Sequence, residues 1–151
     1  MFKSLYDKIV SQISAADIEA DTRDAAVRLA TAVLMVDVAL VDSCFDETEF
    51  DRMLRLVKDH FGLDTQQAAE LINAANAKAD ELVSVHEFTQ LLHKHLSENE
   101  KARIVSLLWQ VAYADGQLDK YEDSLVLKIS DLLYVSRGRV MRLKHDAQDI
   151  M

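Results

Sequence analysis

The sequence predicts an all-α fold: a compact single-domain bundle of seven to eight helices over residues 1–151. Three observations carry that expectation. There is no proline, and there are only three glycines, Gly62, Gly116 and Gly138, so residues that break helices are scarce. Long stretches are built from Ala, Leu, Glu, Lys, Gln and Arg, which lose little freedom in a helix. No segment sustains the apolar–polar alternation of a half-buried strand. A chain of 151 residues, half of them hydrophobic, buries roughly two-thirds of its unfolded surface on folding and needs no covalent staple.

Helix starts are legible as capping boxes, in which Ser, Thr or Asp is followed three residues later by Glu or Gln. The two side chains satisfy each other's free backbone N–H groups. The pattern pairs Asp46 with Glu49, Asp64 with Gln67, Ser84 with Glu87, Ser97 with Glu100 and Asp119 with Glu122. Helices are therefore predicted at about 2–14, 22–42, 46–61, 64–82, 84–95, 97–114, 119–133 and 136–148. In the second, Val27, Ala30, Thr31, Leu34, Val38 and Val41 form one apolar stripe. In the sixth, Ile104, Leu107, Leu108, Val111 and Ala114 do the same. The connections are short, so consecutive helices are expected to pack as hairpins or corners.

Composition excludes several functions. With 17 basic and 26 acidic residues the net charge is −9, so nucleic acid is not an expected partner. Anionic lipid surfaces would repel the chain, and no apolar run approaches the ~20 residues that span a bilayer. The basic residues Arg137, Arg139, Arg142 and Lys144 form too short a cluster to reverse that balance. A single cysteine, Cys44, excludes an internal disulfide framework and a Cys-rich zinc module. The N-terminus has polar residues every few positions, unlike a secretory signal, so the expected compartment is the cytoplasm.

A shift of 73 residues superposes two parts of the chain, with Leu34 on Leu107, Val38 on Val111 and Ala39 on Ala112. Asp42 falls on Asp115, Asp46 on Asp119, Glu49 on Glu122 and Leu54 on Leu127. Both parts carry D-x-x-x-D-x-x-E. Two helix–elbow–helix units, 22–61 and 97–134, with a helical segment over 64–95 between them, predict a pseudo-twofold internal repeat.

The second elbow reads A-D-G-x-L-x-x-x-E, from Ala114 through Asp115, Gly116, Leu118 and Asp119 to Glu122. An alanine-rich helix ending in this pattern resembles the TerB-like family of tellurite-resistance proteins, whose fold also precedes J-domains in DjlA-type co-chaperones. The resemblance covers about 22–134 and is weaker at the first elbow, where Asp42, Ser43, Cys44 and Phe45 include no glycine. It implies a helical bundle with no established catalytic activity and a role in tellurite or other chemical stress; the partner expected for such a module is another protein, a second copy of the chain being one form of it. It also implies a divalent cation at the acidic elbows, on Asp115 and Glu122 first and on Asp42 and Glu49 less firmly.

Capping accounts for Gly116, Asp119 and Glu122 without a ligand. It does not account for Asp115, whose carboxylate opposes the dipole at the end of a helix. Asp115, Asp119 and Glu122, with Asp42, Asp46 and Glu49 as their counterparts, are the candidate metal residues. Oxygen donors without a thiol or imidazole suit calcium or magnesium rather than zinc. An EF-hand is excluded, because its first and third loop positions would fall on Val111 and Tyr113, whose side chains cannot ligate calcium.

The remaining polar residues read mostly as structural. Asp37, with Gln110 as its counterpart, lies at the edge of the apolar stripe and either bonds a neighbour or bridges the two units. His60, His86, His93, His95 and His145 read as helix-surface or helix-end histidines, and His93 and His95 do not share a face. Acidic neighbours make Cys44 a poor nucleophile. Trp109 and Tyr113, one turn apart, read as core. No phosphate loop, dinucleotide fingerprint or nucleophile elbow is present. The expected function is a non-enzymatic stress-response interaction or metal-responsive module, with the elbows as the candidate site for calcium or magnesium. The alternatives are a metal-free structural adaptor and a metal-dependent hydrolase using Asp115, Asp119 and Glu122.

Overall fold

The computed structural model describes residues 20–40, 47–81, 85–113 and 120–150. Seven helices lie among them: α1 (Ala20–Ala39), α2 (Glu47–Phe61), α3 (Thr65–Glu81), α4 (His86–His95), α5 (Glu98–Ala112), α6 (Lys120–Leu132) and α7 (Arg137–Ile150). No strand occurs among the described residues. The helix expected at 2–14 lies outside them.

Two of the capping boxes lie wholly within the described residues, and both are formed. At α3, Gln67 N–H donates to Asp64 Oδ1 at 2.8 Å and Asp64 N–H to Gln67 Oε1 at 3.1 Å. At α5, Ser97 Oγ accepts from Glu100 N–H at 3.2 Å while Ser97 N–H donates to Glu100 Oε1 at 3.0 Å. The start of α4 differs from expectation. It begins at His86, and Val85 takes the capping position with no side-chain hydrogen bond. Its backbone carbonyl accepts from Phe88 and Thr89 instead.

One continuous apolar core draws on all seven helices. α1 is its axis. Ala30, Thr31, Leu34 and Val38 of the expected stripe are buried, but so are Ala32, Val33, Met35 and Val36. The stripe is therefore a fully enclosed helix in this region, because α1 contacts α2, α3, α4, α5 and α6. A helix that is apolar on every side is stable only when it is surrounded. Its buried hydroxyl is satisfied locally, with Thr31 Oγ1 donating to Val27 O at 2.8 Å.

Consecutive helices are not the main packing partners. α1 packs most extensively on α3, and α5 on α7. Trp109 joins the second pair: it is fully buried, and its Nε1–H donates to Val140 O at 3.1 Å. Lys144 Nζ lies 5.3 Å from the Trp109 ring centroid and 2.7 Å from Asp123 Oδ1, tying α7 to both α5 and α6. The Tyr113 ring, also buried, is 6.4 Å from that of Trp109, so both aromatics belong to the core.

The corners that return α3 and α7 to these partners share a geometry. Leu63 N–H reaches Lys58 O at 3.2 Å, and Val135 N–H reaches Ser130 O at 3.1 Å. Each is the six-residue bond of a Schellman helix end. Gly62 and Tyr134 hold the left-handed residue, at φ 65° and 61°. Asp64 and Ser136 then accept, through their side chains, from the N–H of Gln67 at 2.8 Å and of Arg139 at 3.4 Å. These positions are related by a shift of 72. The positions related by 73 are also alike in burial: Leu34 and Leu107, Val38 and Val111, and Ala39 and Ala112 are buried, and Leu54 and Leu127 half-buried.

Candidate functional site

The expected site lies at the elbows joining α1 to α2 and α5 to α6. Asp42, Asp46, Asp115 and Asp119, with Cys44 and Gly116, fall outside the described residues. The helices that follow are described. α2 starts at Glu47 and α6 at Lys120, each one residue after the aspartate expected to cap it. Glu49 and Glu122 thus occupy the same third helical position. Glu122 is only 5% exposed, and Glu49 is half-buried.

A buried carboxylate is costly unless something satisfies it, and both glutamates are engaged by neighbouring groups. A capping glutamate and an oxygen ligand for a hard cation need the same inward placement, so the burial of Glu122 fits either role. Among the described residues no three His, Cys, Asp or Glu side chains converge as a metal site. Glu49 and Glu122 would need the elbow aspartates to complete one.

Beside this end of the bundle lies a cleft of about 260 Å³ between α1, α2 and α5. Ala39, Met53 and Val111 form its apolar floor, while Glu49, Arg52 and Asp59 charge its rim. The helix ends that lead into both elbows, at Ala39 and Val111, border it. Asp37 is half-buried one turn from the end of α1. Burial pushes its carboxyl above the usual carboxylate range, and the charge of Lys128 on α6 partly offsets this. Its electrostatic partner therefore lies in the second of the two sequence units, 97–134. Gln110 instead donates to Ser106 Oγ at 3.3 Å within its own helix.

A second concavity, of about 440 Å³, lies at the opposite end of α1 and α5. Arg23 and Arg28 come from α1, His60 from α2, His95 from α4 and Arg103 from α5. Local motif reading does not find this group, because its members are scattered through the sequence and meet only in the fold. His60 and His95 stand at the ends of α2 and α4, in keeping with the helix-end expectation, and both are half-buried here. His60 is held below the usual imidazole value by burial and then by Arg103. His95 is held low by burial and then by Lys94 and Arg23. His86, His93 and His145 are exposed, as expected. His93 Nδ1 lies 2.9 Å from Nζ of Lys101, a lysine that is only 2% exposed and also pairs with Glu98 at 2.9 Å.

One helical core, with acidic first turns in α2 and α6 and two concavities at opposite ends, places the chain among small all-α bundle proteins. It matches the family model described as Tellurite resistance protein TerB over residues 28–145. The chain belongs to the TerB family. A crystal structure of a protein of unknown function from Porphyromonas gingivalis W83 is similar, with a TM-score of 0.61 at 21% identity, covering 82% of this chain and 89% of that one. At that identity the likeness is one of fold. No curated protein matches the chain. No helix among the described residues is long and apolar enough to cross a membrane.

Proposed function

We propose that this TerB-family protein is a non-enzymatic interaction module of a chemical-stress response such as tellurite resistance, with its recognition face at the elbow end of the bundle. The observation that supports this reading is the cleft with an apolar floor of Ala39, Met53 and Val111 and a rim of Glu49, Arg52 and Asp59. A partner helix with one apolar stripe and mixed charge on either side is the complement of such a surface. In this reading calcium or magnesium is bound beside it by Asp115, Asp119 and Glu122, with a weaker counterpart at Asp42, Asp46 and Glu49. The burial of Glu122 fits an oxygen-ligand role as well as it fits capping.

Thermal melts of chelator-treated protein with added calcium, magnesium or manganese test the reading. Saturable stabilisation is expected, about 2.7 kcal/mol at a hundredfold excess over the dissociation constant. It should be lost in Asp115→Asn, which keeps the shape and removes the charge, and only reduced in Asp42→Asn. A flat melting temperature through millimolar ion would leave the metal-free adaptor standing. Hydrolysis of a generic phosphoester in the presence of the ion would overturn the non-enzymatic reading.

A further inference from the structure

The cavity at the far end of α1 and α5 runs against the charge of the whole molecule. The chain carries a net charge of −9, yet Arg23, Arg28 and Arg103 converge on one concavity with His60 and His95. Two carboxylates also line it, Asp24 and Glu100. Glu100 Oε1 accepts from the Ser97 N–H in the capping box, and the Ser97 hydrogen bonds, then the charges of Arg103 and Arg23, hold its carboxyl low. Among the described residues none of the three guanidinium groups makes a hydrogen bond or an ion pair. The Nε2 atom of His95 is buried and has no hydrogen-bond partner among the described residues. Buried polar atoms are rarely left in that state.

The other walls are apolar, from Val27, Phe61, Leu96 and Ile104. Small-ligand sites have volumes of roughly 300–1,000 Å³; this concavity, at about 440 Å³, falls in that range and is lined more by polar and charged groups than by apolar ones. Guanidinium groups bind the planar or tetrahedral oxygens of carboxylate and phosphate in paired, charge-assisted hydrogen bonds. We propose that this cavity binds a compact organic oxyanion, with its carboxylate or phosphate held by Arg28, Arg103 and His95 and its apolar body against Phe61 and Ile104. The site is independent of the elbow reading and shares none of its residues.

Phenyl phosphate and benzoate test it, each joining an aromatic body to one of the two head groups. Inorganic phosphate supplies the head group alone, and phenol supplies the body alone. Isothermal titration of the full chain should show saturable binding of at least one aromatic anion, tighter than inorganic phosphate, and none of phenol. Which anion binds tighter separates a phosphate site from a carboxylate site. Arg28→Ala and Arg103→Ala should each weaken binding roughly tenfold or more, the effect of losing one charge-assisted bond. Arg142→Ala, an exposed position on α7, removes the same charge and should leave affinity unchanged.

A second readout is the titration of His60 and His95 by NMR. The charged groups facing them are Arg23, Asp24 and Arg28 of α1, Lys94 of α4, and Glu100 and Arg103 of α5. A bound anion should raise both apparent pKa values, because it favours imidazolium. Flat titrations with both aromatic anions would overturn the proposal. So would affinities that fall equally in Arg142→Ala and Arg103→Ala, since that result reports net charge and not a site.

Discussion

Gly62 and Tyr134 adopt the same left-handed backbone at equivalent corners, at φ 65° and 61°, and only one of them is suited to it. A Cβ in this conformation costs about 1–2 kcal/mol. Nothing lies within 4 Å of where a Cβ would stand on Gly62, so Gly62→Ala should lose about 1 kcal/mol through the backbone alone. Tyr134→Gly should gain up to about 1 kcal/mol, less the contact of its ring with His93 at 4.4 Å. Urea melts of the two variants should therefore shift in opposite directions. A loss of stability in Tyr134→Gly would show that the ring contact outweighs the backbone strain. At the second elbow, Asp119→Ala should lose about 1 kcal/mol as a helix N-terminus loses its acceptor. Asp115→Ala in chelator should be neutral or slightly stabilising, because a charge opposing the helix dipole is removed. Equal, large losses in both would give Asp115 a structural role.

At the scale of elements, the long-range hydrogen bond from Trp109 Nε1 to Val140 O, at 3.1 Å, pins α7 onto α5. Trp109→Phe keeps an aromatic ring but removes the donor and part of the volume. A loss of about 1–3 kcal/mol is expected, and amide exchange on α7 should accelerate more than on α3, which packs on the other hub helix, α1. Uniform acceleration would mean that α7 does not depend on this anchor. Lys101 separates packing from charge in the same way. It is enclosed on α5 and bonded to Glu98 and His93. Lys101→Met keeps the stem and should be close to neutral, whereas Lys101→Ala should cost about 2 kcal/mol by leaving a cavity. Melts of both variants check this, and equal losses would make the charge the important part.

Over the whole molecule, burial sets the pH response in opposite directions at two places. His60 and His95 are held below the usual imidazole value, so the unfolded chain binds more protons as pH falls through about 6.5. Their contribution to stability is full above that pH and is lost below it. Asp37 is held above the usual carboxylate range, so its contribution is full below the unfolded value and lost as pH rises through the folded one. Between pH 7 and 5.5 two histidines act in one direction and one carboxylate in the other, so the histidines set the expected sign. The melting temperature should fall over that interval, and His60→Gln should flatten the fall. An unchanged slope in that variant would place the response elsewhere. The internal repeat is also a whole-molecule matter. A crystal structure in which the backbones of 22–61 and 97–134 superpose through both elbows would establish it, and elbows of unlike conformation would remove it.

The all-α class, five of the seven described helix starts and the polarity of the core positions were legible in the chain because they depend on local chemistry. A helix start is decided by whether a side chain three residues away can reach a free N–H, and Asp64 with Gln67 and Ser97 with Glu100 meet that condition within one turn. The placement of Glu49 and Glu122 one turn past each elbow follows from the same periodicity. Tertiary structure decided what local chemistry leaves open. It enclosed α1 on every side, because that depends on how many helices surround it and not on its own stripe. It paired α1 with α3 and α5 with α7, because the corners at Gly62 and Tyr134 turn the chain back past its nearest neighbour, and a tyrosine gives no sign of a left-handed turn. It also assembled Arg23, Arg28, His60, His95 and Arg103 around one cavity. Such a cluster is built from helix ends distant in the chain, and only packing the core brings them together.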